Sequence, residues 1–153
     1  MTVSTFTCRI ARTDEILALR HAVLRPGRPL EAARYAEDDD PATIHLGAFV
    51  DGRAIGCATL LKKPFRGETA WQLRGMATSP AHRRQGVGSA MIRCMIETLI
   101  ATDPHTLIWC NARLIAIDFY RRQRFETVTG TFRVPDVGPH VRMIRRVNAD
   151  TAD

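Results

Sequence analysis

An α/β domain with a partly antiparallel sheet is predicted by three features of the chain. Apolar strand-like runs alternate with segments of helical period, Asp51-Gly52 marks a tight hairpin turn, and a basic glycine-bearing loop joins a strand to an amphipathic helix. The 153 residues suit one domain, taken as residues 1–148 with a frayed tail at 149–153, and a composition 45% apolar and 25% charged can bury a core in water. The element order implies a mixed six- to seven-stranded sheet flanked by about four helices.

Residues 4–10 read as the first strand, and Thr13 or Asp14 as the N-cap of a helix carrying Ile16, Leu17, Leu19, Ala22 and Val23. Arg25-Pro26-Gly27 stops that helix, a short one covers Leu30 to Tyr35, and Glu37-Asp38-Asp39-Asp40 before Pro41 marks a loop facing water. Ile44 to Val50 and Ala54 to Leu60 flank the Asp-Gly turn as a hairpin, and a strand from Thr69 to Thr78 follows Lys63-Pro64-Phe65-Arg66-Gly67. Downstream, Val87, Ala90, Met91, Cys94, Met95 and Thr98 form one helical face. Thr106 to Cys110 is a buried strand, Leu114 to Gln123 a covering helix, and Phe125 to Val134 and His140 to Val147 are the last strands.

The formal charge of +6 points to an anionic partner, and the excess is nearly all arginine spread along the chain. With no basic tail and no interleaved aromatics, nucleic acid is the weakest candidate partner. No run approaches the roughly 18 to 20 apolar residues of a membrane span, and the first residues lack a secretory pattern, so a cytoplasmic protein is expected. Cys8, Cys57, Cys94 and Cys110 are widely spaced within apolar runs, which fits small packed side chains and suggests no metal site.

The most informative segment is Arg83-Arg84-Gln85-Gly86-Val87-Gly88, where a helix is expected to begin at Gly86. The first-turn N–H groups of a helix form an anion site, and glycine lets phosphate oxygens approach them. The loop lacks the Gly-Lys-Ser/Thr ending of a Walker motif and the spacing of a dinucleotide fingerprint. It resembles the acyl-CoA loop of the GNAT superfamily of N-acetyltransferases, which Arg83, Gly86 and Gly88 match in register, preceded by Leu73-Arg74-Gly75-Met76-Ala77-Thr78-Ser79-Pro80 as the cofactor strand. Asn111, Ala116, Phe119, Tyr120 and Phe125 resemble a second family segment, with Arg124 in place of the usual glycine, a departure expected to alter that turn. Leu19 to Leu24 and Pro139 to Met143 are similar to the small ElaA-like branch.

That resemblance implies a cofactor set of Met76, Ala77, Thr78, Arg83, Arg84, Gln85, Gly86, Val87, Gly88, Ser89 and Asn111 around acetyl-CoA. It implies that Thr69 to Thr78 and Thr106 to Asn111 splay to admit the pantetheine arm, with a backbone donor near Gly75 or Met76 for the thioester carbonyl. Tyr120 is the implied acid at the sulfur. The base is open among Glu68, Glu37, Asp38 to Asp40, His45 and His140, with Glu68 and His140 taken as the site candidates. An acetyltransferase acting on a primary amine of a small molecule or peptide is the leading expectation, a non-catalytic acyl-CoA-binding module the alternative, and a homodimer is left open.

Overall fold

The computed structural model describes residues 5–148; the tail expected at 149–153 and Ser4 of the expected first strand lie outside them. Two compact units divide the chain, Met1–Leu61 with Arg74–Glu97 and Lys62–Leu73 with Thr98–Asp153.

In the first unit, β1 (Thr7–Ala11) pairs antiparallel with β2 (Ile44–Val50), which pairs antiparallel with β3 (Arg53–Lys62). Asp51 and Gly52 take φ of 50° and 77°, the left-handed pair that a two-residue hairpin needs and that the sequence predicts. Helix α1 (Thr13–Leu24) buries Ile16, Leu17 and Arg20. Its N-cap is Arg12, not the expected Thr13 or Asp14, because the Glu15 carboxylate reaches back to accept the Arg12 N–H at 2.9 Å. Thr13 turns its hydroxyl elsewhere, 3.1 Å from His45 Nε2. Hydrogen bonds from Arg9 and from the Arg12 backbone hold the Glu15 carboxyl down to about 2.

The expected helix at Leu30 to Tyr35 is a single 3-10 turn, Leu30–Ala33. Strand β4 (Trp71–Thr78) leads through a 3-10 turn, Pro80–His82, to α2 (Val87–Thr102). The buried stripe of α2 is Val87, Met91, Ile92, Met95, Ile96 and Leu99, while Ala90, Cys94 and Thr98 are half-buried. Large aliphatic side chains take the inward face because they remove more apolar area from water than alanine or threonine can. Ala11, Ile16, Phe49, Cys57 and Ala77 form one core cluster, with Leu19, Val23 and Leu24 packed against it.

The acidic run does not simply face water. Asp38 is buried and takes a two-point ion pair from Arg20, Nη1 to Oδ2 at 2.8 Å and Nη2 to Oδ1 at 3.1 Å. Arg20 also donates to the Ala33 carbonyl at 3.0 Å and the Thr59 hydroxyl at 2.8 Å. Asp38 Oδ2 accepts the Tyr35 N–H at 2.9 Å. His45 donates Nε2–H to the Asp38 carbonyl at 3.0 Å and sets Nδ1 2.9 Å from the Thr59 hydroxyl, so both ring nitrogens are committed and His45 is structural. Burial pushes the Asp38 carboxyl up, but the Arg20 and Tyr35 hydrogen bonds and the Arg20 and His45 charges outweigh it and leave it below its ordinary value.

In the second unit, Arg66 and Gly67, with φ of 48° and 79°, turn the chain between Phe65 and Glu68. Phe65, Ala70, Leu107 and Trp109 form its core cluster, with the Phe65 and Trp109 ring centroids 5.8 Å apart. Strand β5 (Leu107–Arg113) runs parallel to β4 over Trp71↔Ile108 to Leu73↔Cys110. The expected helix at Leu114 to Gln123 is a 3-10 turn, Leu114–Ala116, followed by the short α3 (Ile117–Arg122). The expected strand at Phe125 to Val134 divides into β6 (Glu126–Thr127) and β7 (Phe132–Val134), both antiparallel to β8 (Gly138–Arg146). The break falls at Thr129, whose hydroxyl accepts the Arg142 N–H at 2.8 Å in place of a backbone carbonyl.

Among the described residues the mixed sheet therefore has eight strands, not six or seven, in hydrogen-bonded order β1-β2-β3-β4-β5-β8-β6 with β7 on β8, and there are three α-helices instead of about four. No helix among the described residues is long and apolar enough to cross a membrane.

Removing one partner of a buried ion pair leaves the other charge uncompensated. Asp38→Asn is expected to cost about 3 kcal/mol in denaturant unfolding at neutral pH, with Arg20 left unpaired. Because the folded Asp38 carboxyl lies below its unfolded value, its contribution is present above about pH 4 and fades as pH falls through the folded value. The variant should lack that acid-dependent component.

Candidate active site

The turn between β4 and α2 is built to expose main-chain donors. Ser79 donates its N–H to the Ile55 carbonyl at 2.8 Å, which ties the start of the turn to β3. Arg83 is extended, Arg84 and Gly86 are left-handed with φ of 63° and 81°, and Gln85 Nε2 closes the loop onto the Ala81 carbonyl at 3.3 Å. The Gly86 carbonyl accepts the Ala90 N–H at 3.0 Å, so Gly86 is the cap and the helix runs from Val87. The N–H groups of Val87 and Gly88 then have no carbonyl within the helix to meet. A Cβ built on Gly86 would touch nothing within 4 Å, so the space over the helix nose is open.

One close contact and one strained residue fix this geometry. Val87 is buried against β3, where a Cβ on Gly56 would lie 2.7 Å from Val87 Cγ1; only glycine lets the helix nose sit so near the sheet. Arg84 holds a conformation that costs an ordinary residue about 1 kcal/mol, strain of the kind found where a backbone is shaped for a ligand. The open space beside Gly86, first-turn amides without partners inside the helix, and the exposed side chains of Arg83 and Arg84 fit a diphosphate.

Along β4, Gly75 interrupts the pleat with φ of 64°, while Ala77 is buried and Met76 and Thr78 are half-buried. The ladder to β5 ends at Leu73↔Cys110, two residues before this bend. Cys57 donates its S–H to the Gly75 carbonyl at 3.5 Å, and burial pushes its thiol up to about 12, which makes it a packed side chain and not a nucleophile. A Cβ on Gly75 would lie 2.9 Å from the Tyr35 hydroxyl and 3.1 Å from Arg20 Nε. The Arg20 and Arg74 guanidinium carbons each lie 4.1 Å from the Tyr35 ring centroid.

Sequence reasoning missed Arg20, Tyr35 and Arg74 as neighbours of this bend. One signal was available: Arg20 lies on the apolar stripe of α1, four residues after Ile16, where a charge demands a buried partner.

The other expected site residues lie in the second unit. Asn111, half-buried on β5, accepts Arg142 Nε on Oδ1 at 2.9 Å, which fixes the amide's orientation and turns Nδ2 into its donor. Tyr120 is buried in α3 with edge-on contacts to Phe119 and Phe125, centroids 5.2 and 5.3 Å away. Burial, and secondarily Cys110, push its hydroxyl well above the ordinary phenol value. Arg124 stands where family members carry glycine, yet with φ of 66° it takes the glycine-like left-handed conformation, so the altered turn expected there does not occur.

His140 is buried, donates Nδ1–H to the Gly138 carbonyl at 2.8 Å and stacks on Phe132. Glu68 precedes the first residue of β4, at the opposite end of that strand from Thr78, and is exposed in an ion pair with Arg146 at 2.6 Å. The Arg146 hydrogen bond lowers its carboxyl below the ordinary range, which makes Glu68 a poor base. Among the described residues no group of three or more His, Cys, Asp or Glu could hold a metal ion.

The sequence pattern of the Acetyltransferase (GNAT) family matches residues 11–125. This chain belongs to the GNAT family. A GNAT relative, the uncharacterized N-acetyltransferase YitI of Bacillus subtilis (strain 168), is 33% identical over 135 residues, covering 86% of this chain and 90% of its own. The GNAT fold is shared with Escherichia coli ElaA, with a TM-score of 0.78, 19% identity and coverage of 93% of this chain and 100% of the other. An aminoglycoside 6'-N-acetyltransferase solved with coenzyme A shares it at a TM-score of 0.76 and 12% identity, covering 92% of this chain and 97% of its own.

Proposed function

We propose that this GNAT chain transfers an acetyl group from acetyl-CoA to a primary amine by direct attack in a ternary complex. The carrying observation is the nose of α2, where Arg84 and Gly86 take left-handed angles, a Cβ on Gly86 would meet nothing within 4 Å, and the first-turn amides have no carbonyl partner within the helix. Gln85, Gly86, Val87, Gly88 and Ser89 would wrap the diphosphate, with Arg83 and Arg84 adding charge-assisted hydrogen bonds. The backbone of Met76, Ala77 and Thr78 would hold the pantetheine arm, and the GNAT resemblance gives Asn111, through Nδ2, the role of a polar anchor. Bound acetyl-CoA supplies an activated thioester carbonyl.

The bend at Gly75 turns the strand so that the N–H of Gly75 or Met76 stabilises negative charge developing on that carbonyl oxygen. Tyr120 hydrogen-bonds the sulfur and keeps its proton, because burial raises its hydroxyl above the value of about 8.5 ordinary for a thiol; the departing thiolate takes its proton from water. This narrows the acid role expected from the sequence. Of the two expected bases, Glu68 is neutralised by Arg146, and His140 offers Nε2 alone for accepting the amine's proton.

Thiol release from acetyl-CoA against pooled amines, polyamines, aminoglycosides and peptides tests the activity, and acetylated product should accompany each thiol. Binding of CoA with no transfer to any amine would assign a non-catalytic acyl-CoA-binding module instead. Gly86→Val should weaken CoA binding by about tenfold or more, since its side chain fills the phosphate space and disfavours the left-handed backbone. Tyr120→Phe should lower kcat by about 10- to 100-fold while CoA affinity changes less than about threefold; equal loss in both would make Tyr120 a packing residue.

A further inference from the structure

The buried network around Asp38 has a product that the reaction reading does not use. It fixes Tyr35 from two directions, through the backbone N–H that Asp38 accepts and through the Arg20 guanidinium lying on its ring. The Tyr35 hydroxyl is thereby pressed against the Gly75 bend, at a position that tolerates no Cβ. Arg20 Nε, 1% exposed as a residue and without a hydrogen-bond partner, faces the same glycine.

Arg20 is neutralised by Asp38. Arg74 differs: half-buried, it lies on the other guanidinium-bearing contact of the Tyr35 ring and, among the described residues, meets no carboxylate. A positive charge is thus held rigidly one residue before the bend, on a stacked platform that suits planar recognition of an anion. The cofactor's diphosphate is not its natural partner, because the reading above gives that group to Arg83 and Arg84 before α2, beyond the Thr78 end of β4.

We propose that Arg74 and Tyr35 form an acceptor subsite that selects amines carrying an anionic group, carboxylate or phosphate, close to the reacting nitrogen. The subsite rests on the acetyltransferase reading above and names its substrate class. Arg74 supplies the paired N–H donors for the anion, and the Tyr35 hydroxyl hydrogen-bonds the acceptor as the amine approaches the bend. Arg20 and Asp38 are positioning residues that hold the Tyr35 ring and backbone.

The test is steady-state kinetics on the full chain with acetyl-CoA and matched acceptors: amino acids, their carboxamides, the same amines lacking the acid group, aminoalkyl phosphates, and polyamines. CoA affinity is measured alongside for wild type, Arg74→Gln, Arg74→Lys and Tyr35→Phe. Wild type should use at least one acidic acceptor with kcat/KM about 30-fold or more above its uncharged counterpart, with the carboxylate and phosphate arms identifying the anion. Arg74→Gln should raise KM for that acceptor about tenfold or more, abolish the discrimination and leave CoA affinity within about twofold. Arg74→Lys, which keeps the charge on a smaller perturbation, should retain part of the discrimination.

Equal use of neutral or cationic amines by wild type would overturn the subsite while leaving the acetyltransferase reading intact, and needs no variant. Discrimination that survives Arg74→Gln, or a parallel loss of CoA affinity, would also overturn it. Absence of CoA binding by wild type would overturn the subsite and the reading beneath it together.

Discussion

A helix cannot satisfy its own first amides, and in this chain that constraint is left exposed at the nose of α2. Elsewhere such groups find side-chain caps; here Gly86 caps with its carbonyl alone and carries no side chain to cover the amides. The surrounding structure maintains the arrangement. Gly56 lets Val87 seat against β3, the Ser79 bond to Ile55 fixes where the turn leaves β4, and Arg84 accepts an unfavourable backbone angle so that Gly86 can complete the turn. Local cost concentrated at one loop, anchored by the Val87 seat and the Ser79 bond, is characteristic of a backbone shaped for a ligand.

The same economy of glycine recurs at the bend in β4. Gly75 provides a left-handed angle inside a strand and room for Tyr35 and Arg20, so one residue both turns the backbone and admits a polar cluster. That cluster rests on a buried ion pair, an arrangement whose desolvation cost makes it a poor source of stability and a good means of fixing one geometry. Its geometry is definite: Asp38 holds Arg20 and the Tyr35 backbone, and Arg20 holds the Tyr35 ring. The proposed phosphate loop rests on residues that match a GNAT pattern, whereas the proposed acceptor subsite rests on this cluster alone.

What could be read in the sequence followed from local chemistry. Asp51-Gly52 can form few other turns, and the loop from Arg83 to Gly88 announces itself by residue type and by its place before an apolar helix. What escaped depended on distant partners. Glu37 to Asp40 reads as a solvated loop until Arg20, eighteen positions before Asp38, is seen to need a carboxylate. On α2 the expected Val87, Met91 and Met95 do face inward, but Ile92, Ile96 and Leu99 complete the stripe in place of Ala90, Cys94 and Thr98, because period alone does not choose between adjacent apolar neighbours. Arg124 differs for the opposite reason: although it is not glycine, the turn keeps the left-handed angle that glycine would give.

The most direct measurement is a calorimetric titration of the full chain with coenzyme A and, separately, with pantetheine, which lacks the diphosphate. A diphosphate held by main-chain amides and flanking arginines predicts saturable one-to-one uptake of coenzyme A and affinity for pantetheine about 100-fold weaker or less, a difference of roughly 2.7 kcal/mol. Equal affinity for the two, or no saturable uptake of coenzyme A, would contradict it.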